Sequence, residues 1–395
     1  MNRKAVSGMM LTLLLVGMLT LAFKIQPVKA EPATIIVPDD FLTIQEAINH
    51  ANSGDVVYVR SGAYYESIVI NKSISVVGEL PHRPLLDGDK AHWPVKISAD
   101  NVTFSTFRVR RSMWIYGYGG GGIYLANSNS CVVTNNEVMD NQYGIGLYGA
   151  SNNIIHDNLL EENHVNILCK HSMLPSDPLI TSRNNTFVTN ILRKGDTAFA
   201  LLDFSEGRII ENTIMNNSRG VTIESPVDVM TYHNNFINNT DQILFRTSET
   251  CSWDNGCEGN YWSDYTGADA DGDGIGDTPY IIDENNQDNY PLMEPWYLTE
   301  VDDTEAYMKY VNETIQDLPD EAFNRPPEDV PDVKNDFSDL FYDVLESIDA
   351  GNYEGAIEKL NKIKEKMYEE IVESDERQEI ISLIDDLIAY LQTPL

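Results

Sequence analysis

Basic side chains are scarce in this 395-residue chain: 27 Lys and Arg stand against 62 Asp and Glu, a formal charge of −35. Such a balance repels nucleic acid and anionic lipid and leaves no basic tract for counterion release, so nucleic acid is not an expected partner. The acidity fits solubility in an ionic exterior. Apolar runs long enough to span a membrane are absent beyond the first thirty residues. Cysteine is limited to four residues. Of these, Cys251 and Cys257 enclose "SWDNG" in a turn-rich stretch where an oxidising exterior allows a short disulfide loop.

What is present is enough to build a core, since 42% of residues are hydrophobic and 9% aromatic. The length is a prior for two or three domains. The first thirty residues are set apart from that core. Asn2, Arg3 and Lys4 precede the apolar run Met9 to Phe23, and "VKA" ends at Ala30 like a cleavage site. Residues 1–30 read as a signal peptide cleaved after Ala30, with an uncleaved membrane anchor as the alternative. The expected location is secreted or cell surface, with no membrane span after cleavage. Asn71, Asn101, Asn184, Asn216, Asn238 and Asn312 begin Asn-x-Ser/Thr sequons, which accept glycans in a secreted chain.

The centre of the chain repeats. Asn136, Asn158, Asn190, Asn212 and Asn234 recur at a period of 22 residues with one ten-residue insertion, and Asn141, Asn163, Gly195, Asn217 and Asn239 follow in step. Apolar columns share the register: Val133, Ile155, Phe187, Ile209 and Thr231; Val138, Leu160, Leu192, Ile214 and Phe236; Ile145, Ile167, Phe199, Val221 and Ile243; Leu147, Cys169, Leu201, Ile223 and Phe245. Short two-spaced apolar pieces broken by Asn or Gly suit brief strands, not helices. Units near 20 residues that cannot bury their own apolar face form a solenoid, here a mainly β parallel β-helix. The asparagines then serve as a ladder, hydrogen-bonding coil to coil and accepting left-handed backbone angles at the turns. Before the coils, Ile44, Ala47, Ile48 and Ala51 line one face of a short helix able to cap the first coil.

"TIQEAINHANSGDVVYVRSGAYYESIVINKSISVVGE", the Asn-rich coils and "GNYWSDYTGADADGDGIGDTPYIIDENNQDNYPL" resemble the secreted right-handed parallel β-helix proteins of the NosD-like or CASH-domain group, which are pectin-lyase-like. The resemblance covers roughly Glu31 to Pro295. It implies a right-handed solenoid; for activity it leaves open carbohydrate binding, sugar hydrolysis and periplasmic copper handling.

Several local motifs carry candidate chemistry. Asp269, Asp271, Asp273 and Asp277, with Gly274 between, start like a calcium loop, but Tyr280 stands where a bidentate Glu would close it. The readings are a structural calcium ion or a solvated acidic turn. Cys169, His171 and Met173 alternate as soft ligands would, yet Cys169 falls in a core column, so copper is not expected there. Polysaccharide cleavage needs paired carboxylates or a base with a charge-neutralising cation, and the outward column Tyr148, Lys170, Leu202, Glu224 and Arg246 is its natural place. Glu224 reads there as a surface ion pair with Arg246, Asp203 is the one nearby acid to add, and the residues do not favour an enzyme. Binding is better supported: "RVRRSMWIYGYGGGG" places Trp114, Tyr116 and Tyr118 at alternate positions beside Arg110 and Arg111. An extended loop would aim the three rings at sugar faces and the arginines at an acidic sugar; the alternative is that the rings pack back on the solenoid.

After Pro295 glycine becomes scarce and "NRPPEDVPDV" marks a joint. Three helical stripes follow: Phe337, Leu340, Phe341, Val344, Leu345 and Ile348; Tyr353, Ala356, Ile357, Leu360, Ile363 and Met367; Ile380, Leu383, Ile384, Leu387, Ile388 and Leu391. "FYDVLESIDAGNYEGAIEKLNKIKEKM" with "ISLIDDLIAYL" resembles the FIMAH-type helical module of secreted and surface proteins, which implies attachment to surface proteins. The expected organisation is a β-helix domain over 31–296, a linker over 297–331 and a small helical bundle over 332–395. The expected function is a glycan- or polysaccharide-binding surface protein, with a polysaccharide lyase or glycoside hydrolase, a copper-handling protein and a purely structural surface protein as alternatives.

Overall fold

The computed structural model describes residues 32–80, 82–88, 93–112, 120–171, 180–225, 228–248 and 250–296. Within 308–391 it describes all but 309, 310, 313, 314, 317, 375, 376, 378, 379, 382, 383, 385, 386, 389 and 390. The leader segment 1–30 lies outside these residues.

Three parallel sheets of nine, eight and nine strands run the length of the solenoid, and each coil gives one short strand to each sheet. The register is the expected one: Val133 pairs with Ile155 and Ile155 with Phe187, while Ile145 pairs with Ile167 and Ile167 with Phe199. These residues are fully buried, and the columns stay closed until the last coil, where Ile243 and Phe245 are partly exposed, so each coil closes the core of its neighbour. The solenoid starts earlier than the repeat suggests, because Val57, Val76 and Phe104 stack beneath Val133 in coils of uneven length.

The capping helix is Ile44–His50, with Ile44, Ala47 and Ile48 buried. The first coil clamps both its ends. Thr43 Oγ1 accepts from Glu46 N, and the Glu66 carboxylate accepts from Ile44 N and Gln45 N, satisfying first-turn donors. Lys72 Nζ donates to the carbonyls of Ile48, Asn49 and Ala51 at the other end.

The ladder is present, with one correction to its geometry. Asn136, Asn158, Asn190, Asn212 and Asn234 each pass an Nδ2 hydrogen bond of 3.0–3.1 Å to the next Oδ1, except that Asn234 passes its own to Asn260 at 2.9 Å. The left-handed angle belongs to the residue before each rung: Asn135, Asp157, Thr189, Glu211 and His233 have φ of 53–58°. That residue reverses the chain and turns the following amide inward, where it closes its own turn. Asn158 Nδ2, for example, donates to His156 O two residues back at 2.8 Å. In the second ladder Gly195 offers no side chain, and Asn166 fills the gap by linking Asn163 to Asn217 at 3.0 and 3.4 Å.

The helical module has its own core. Val330–Asp349 and Tyr353–Glu370 are helices, and Phe337, Phe341, Val344 and Ile348 are buried with Leu360, Ile363, Met367, Ile380 and Ile384. This core begins before residue 332: Met308, Val311, Ile315, Leu318 and Phe323, read above as linker, are buried in it. Their spacing is apolar at helical intervals, a signal that the prolines at 319, 326 and 327 obscured.

Candidate functional site

Side chains alternate across a strand, so residues beside the core columns face outward. On the eight-stranded sheet two outward rows run coil to coil. Lys96, Tyr124, Gly146, Leu168, Ala200, Thr222 and Leu244 form one; Ala126, Tyr148 and Lys170, then Leu202 and Glu224, lie beside it. Much of this surface is apolar. Tyr148, Val165, Leu168 and Ala200 form a cluster outside the solenoid core, with Trp93, Tyr124, Tyr143 and Leu202 packed against it.

The rings are in defined contact. Trp93 stacks on Tyr124 with centroids 4.1 Å apart, and Tyr148 meets Tyr124 edge-on at 5.0 Å. Gly146 makes room for this, because a Cβ there would lie 2.9 Å from the Tyr148 ring. Tyr148 is buried, which pushes its phenol up from the ordinary value, whereas Trp93, Tyr124 and Tyr143 keep part of their surface in water. Two cations flank the rings. Lys96 and Lys170 are half-buried, and among the described basic residues only they and Arg208 have side chains with no hydrogen bond, ion pair or ring contact. In a chain so rich in acids, unpaired lysines on an aromatic surface stand out.

Of the residues expected to bind sugar, only Arg110 and Arg111 are among the described ones. Trp114, Tyr116 and Tyr118 lie outside the described residues. Arg110 and Arg111 both reach the fully buried Asp87 carboxylate, at 3.1 and 3.2 Å, and the Arg111 side chain stays half exposed. A buried charge needs compensation, and Asp87 takes it from both arginines. Trp93 and Tyr124 give no signal in the sequence columns: Tyr124 lies one residue beyond the core position Ile123, in the outward row beside the one read above, and Trp93 stands before the repeat begins.

The candidate acids are both engaged. Glu224 pairs with Arg246 at 3.5 Å, as the coil spacing predicts, and Asp203 accepts the His171 Nδ1 contact at 2.6 Å. No paired free carboxylates result. Cys169 points into the core, where burial pushes its thiol up and keeps it protonated. His171 contacts Asp203 instead, and Met173 lies outside the described residues.

Among the described residues one group of three or more His, Cys, Asp or Glu side chains converges, namely Asp269, Asp271 and Asp273, with ligand atoms within 4.8 Å of one another. The loop also holds itself. Asp269 accepts from the N–H groups of Gly272, Asp273 and Gly274, which keep its carboxyl below the usual range, with Gly274 the largest influence. Asp271 is pushed up, chiefly by the neighbouring Asp273 charge. Asp277 stands apart and accepts from Ala270 N, while Tyr280 gives its hydroxyl to Asp264. The Cys251–Cys257 bridge is not formed: Cys257 is an exposed free thiol, while Cys251 sits half-buried against the solenoid core. Asx-type bonds from Asp254 and Asn255 close that turn without a cross-link.

The far end of the ladder is an acid. Asn260 N and Asn260 Nδ2 donate to Asp288 Oδ2 at 2.7 and 3.4 Å, and Trp262 Nε1 reaches the same oxygen at 2.9 Å. Tyr290 N donates to Oδ1 at 3.0 Å. Asp288 is fully buried, and burial outweighs these donors, so its carboxyl is pushed up to about 6.

The family model described as "Periplasmic copper-binding protein (NosD)" matches residues 48–267, most of the coils. The chain belongs to the NosD family. It is an extracytoplasmic β-helix protein of that family. Among curated relatives it is 32% identical over 106 residues to the "Probable ABC transporter binding protein NosD" of Pseudomonas aeruginosa, covering 24% of this chain and 25% of that protein. It is 29% identical over 118 residues to a "Cell surface glycoprotein" of Methanothermus fervidus, covering 28% of this chain and 18% of that protein. The match thus spans about a quarter or less of either relative. Solved structures that align with it include a pectate lyase, with TM-score 0.42, 15% identity and coverage of 53% of this chain and 63% of that one. A surface adhesin of Streptococcus pneumoniae aligns with TM-score 0.42, 16% identity and coverage of 53% and 61%. Among the described residues of this NosD-family chain, the one group of three or more His, Cys, Asp or Glu side chains that converges is all carboxylate, a hard oxygen set.

Proposed function

We propose that this NosD-family protein binds an acidic polysaccharide on the outer face of its eight-stranded sheet. The observation that carries the reading is Lys96 and Lys170 without partners, flanking half-exposed Trp93, Tyr124 and Tyr143. Aromatic rings supply flat apolar contact for sugar faces, and a lysine ammonium pairs with a carboxylate. The two lysines lie three strands apart in neighbouring outward rows, about 14 Å across the strands and about 7 Å along them, a span suited to a short stretch of polysaccharide. Binding without cleavage is favoured because Asp203 and Glu224 are both engaged.

The test is an array of neutral and acidic polysaccharides probed with the full chain, with and without calcium, reading retained protein and released sugar. Retention on acidic sugars should fall about tenfold in Trp93→Ala, the effect of losing one stacked ring. It should also fall in a Lys96→Gln, Lys170→Gln double variant. Released product would replace the binding reading with an enzyme; retention indifferent to all three substitutions would move the site elsewhere.

A further inference from the structure

The six sequons are not equivalent once folded. Asn101, Asn184, Asn216 and Asn238 are exposed and hold the left-handed turn position, with φ of 57, 50, 55 and 51°. Asn71 is exposed in the bend after the strand Ile68–Ile70. The carboxamides of Asn71, Asn101, Asn216 and Asn238 make no hydrogen bond, whereas Asn184 Nδ2 donates to Asn152 Oδ1 at 2.8 Å. Asn312 differs from all of these: it is half-buried, its Nδ2 donates to Ser338 Oγ at 3.2 Å, and its Oδ1 accepts from Gln316 and Ser338.

We infer that Asn71, Asn101 and one of the pair Asn216 and Asn238 carry N-linked glycans at the turn tips of the solenoid, and that Asn312 does not. The co-reactant is an oligosaccharide joined through its anomeric carbon to a lipid phosphate. The Asn amide nitrogen attacks that carbon, a C–N bond forms, the C–O bond to phosphate breaks, and the lipid phosphate leaves with the bonding pair while the amide proton passes to base. The folded chain accepts the sugar only where the amide nitrogen faces water. At Asn312 the glycan would displace hydrogen bonds inside the helical module. At the paired tips the next residue explains why they point outward, because Asn217 and Asn239 are turned into the ladder and buried.

Asn216 and Asn238 occupy the same position in consecutive coils, and their turns are joined by Asn216 N to Ile237 O at 3.0 Å. Adjacent strands lie about 4.8 Å apart, too close for two branched sugars to stand side by side. One glycan therefore serves the pair.

The full chain, secreted from a host that glycosylates Asn-x-Ser/Thr and shown to modify a control protein, is cut after lysine. The fragment between Lys194 and Lys309 holds both Asn216 and Asn238 and no other sequon. Mass spectrometry should find that fragment with one glycan as the main species, glycans at Asn71 and Asn101, and none at Asn312. Asn216→Gln should raise occupancy at Asn238 about twofold. The inference is overturned by an unmodified chain, by Asn312 occupied as fully as the tips, or by a doubly modified fragment as the main species.

Discussion

Asp288 gives the solenoid a stability term that runs opposite to the usual acid denaturation. Its carboxyl is pushed up to about 6 from the reference value of 3.8, mainly by burial. A shift of roughly two units at 1.36 kcal/mol each is worth about 3 kcal/mol. The sign follows from proton counting. Between the two values the folded state holds a proton that the unfolded state has lost, so this contribution is fully present below pH 3.8 and disappears as pH rises through about 6. Other carboxylates oppose it: backbone N–H donors hold Asp55, Glu79 and Asp269 below their ordinary values, and their contribution is lost as pH falls. The measurement is therefore a difference, wild type minus Asp288→Asn, by urea unfolding at several pH values from 4 to 7. Emission from the buried Trp253 and Trp262 reports on these coils, and Trp262 touches the carboxylate itself. From pH 7 to pH 4 the wild type should gain most of that ~3 kcal/mol over the variant. A difference that stays flat, or that moves the other way, refutes the reasoning.

Two further outcomes are expected. Asn190→Ala removes the acceptor of Asn158 N and Asn158 Nδ2 and the donor to Ile155 O and Val188 O, all within the solenoid. It should cost about 3 kcal/mol in urea unfolding, since buried groups lose their partners outright; a cost below about 1 kcal/mol would show that the rungs are replaceable. A thiol reagent applied to the native chain should label Cys257 promptly and Cys131 and Cys169 only after unfolding, as their exposure dictates. Native labelling of Cys169, read by peptide mass, would contradict its place in the core.

The coils from Val133 to Phe245 were legible because a constant period repeats both the core columns and the asparagines. The first coils, with Val57 and Val76, escaped because their lengths vary and they lack the Asn rung. Asn260 and Asp288 escaped for a related reason: the chain between rungs lengthens, and an acid replaces the last amide. Pairings across the solenoid are not written in local sequence. Arg110 and Arg111 were visible as cations, but nothing nearby in sequence reveals that Asp87, one strand away in the sheet, absorbs both. The same holds for the outward aromatic cluster, in which Trp93, Tyr124 and Tyr148 come from separate coils and meet only after stacking.

From Asn136 to Asn260 every amide-to-amide bond of the column runs one way, from Nδ2 to the Oδ1 of the next coil. Aligned amides add their dipoles as peptide units do in a helix. The column has a positive pole at the C-terminal coils and a negative pole at the start, where Asn136 Oδ1 meets Phe107 N. The carboxylate of Asp288 stands at the positive pole. Extending the array by one more coil would therefore require moving this acid outward with the end, because a negative charge in mid-column would face the carbonyl pole of the next amide.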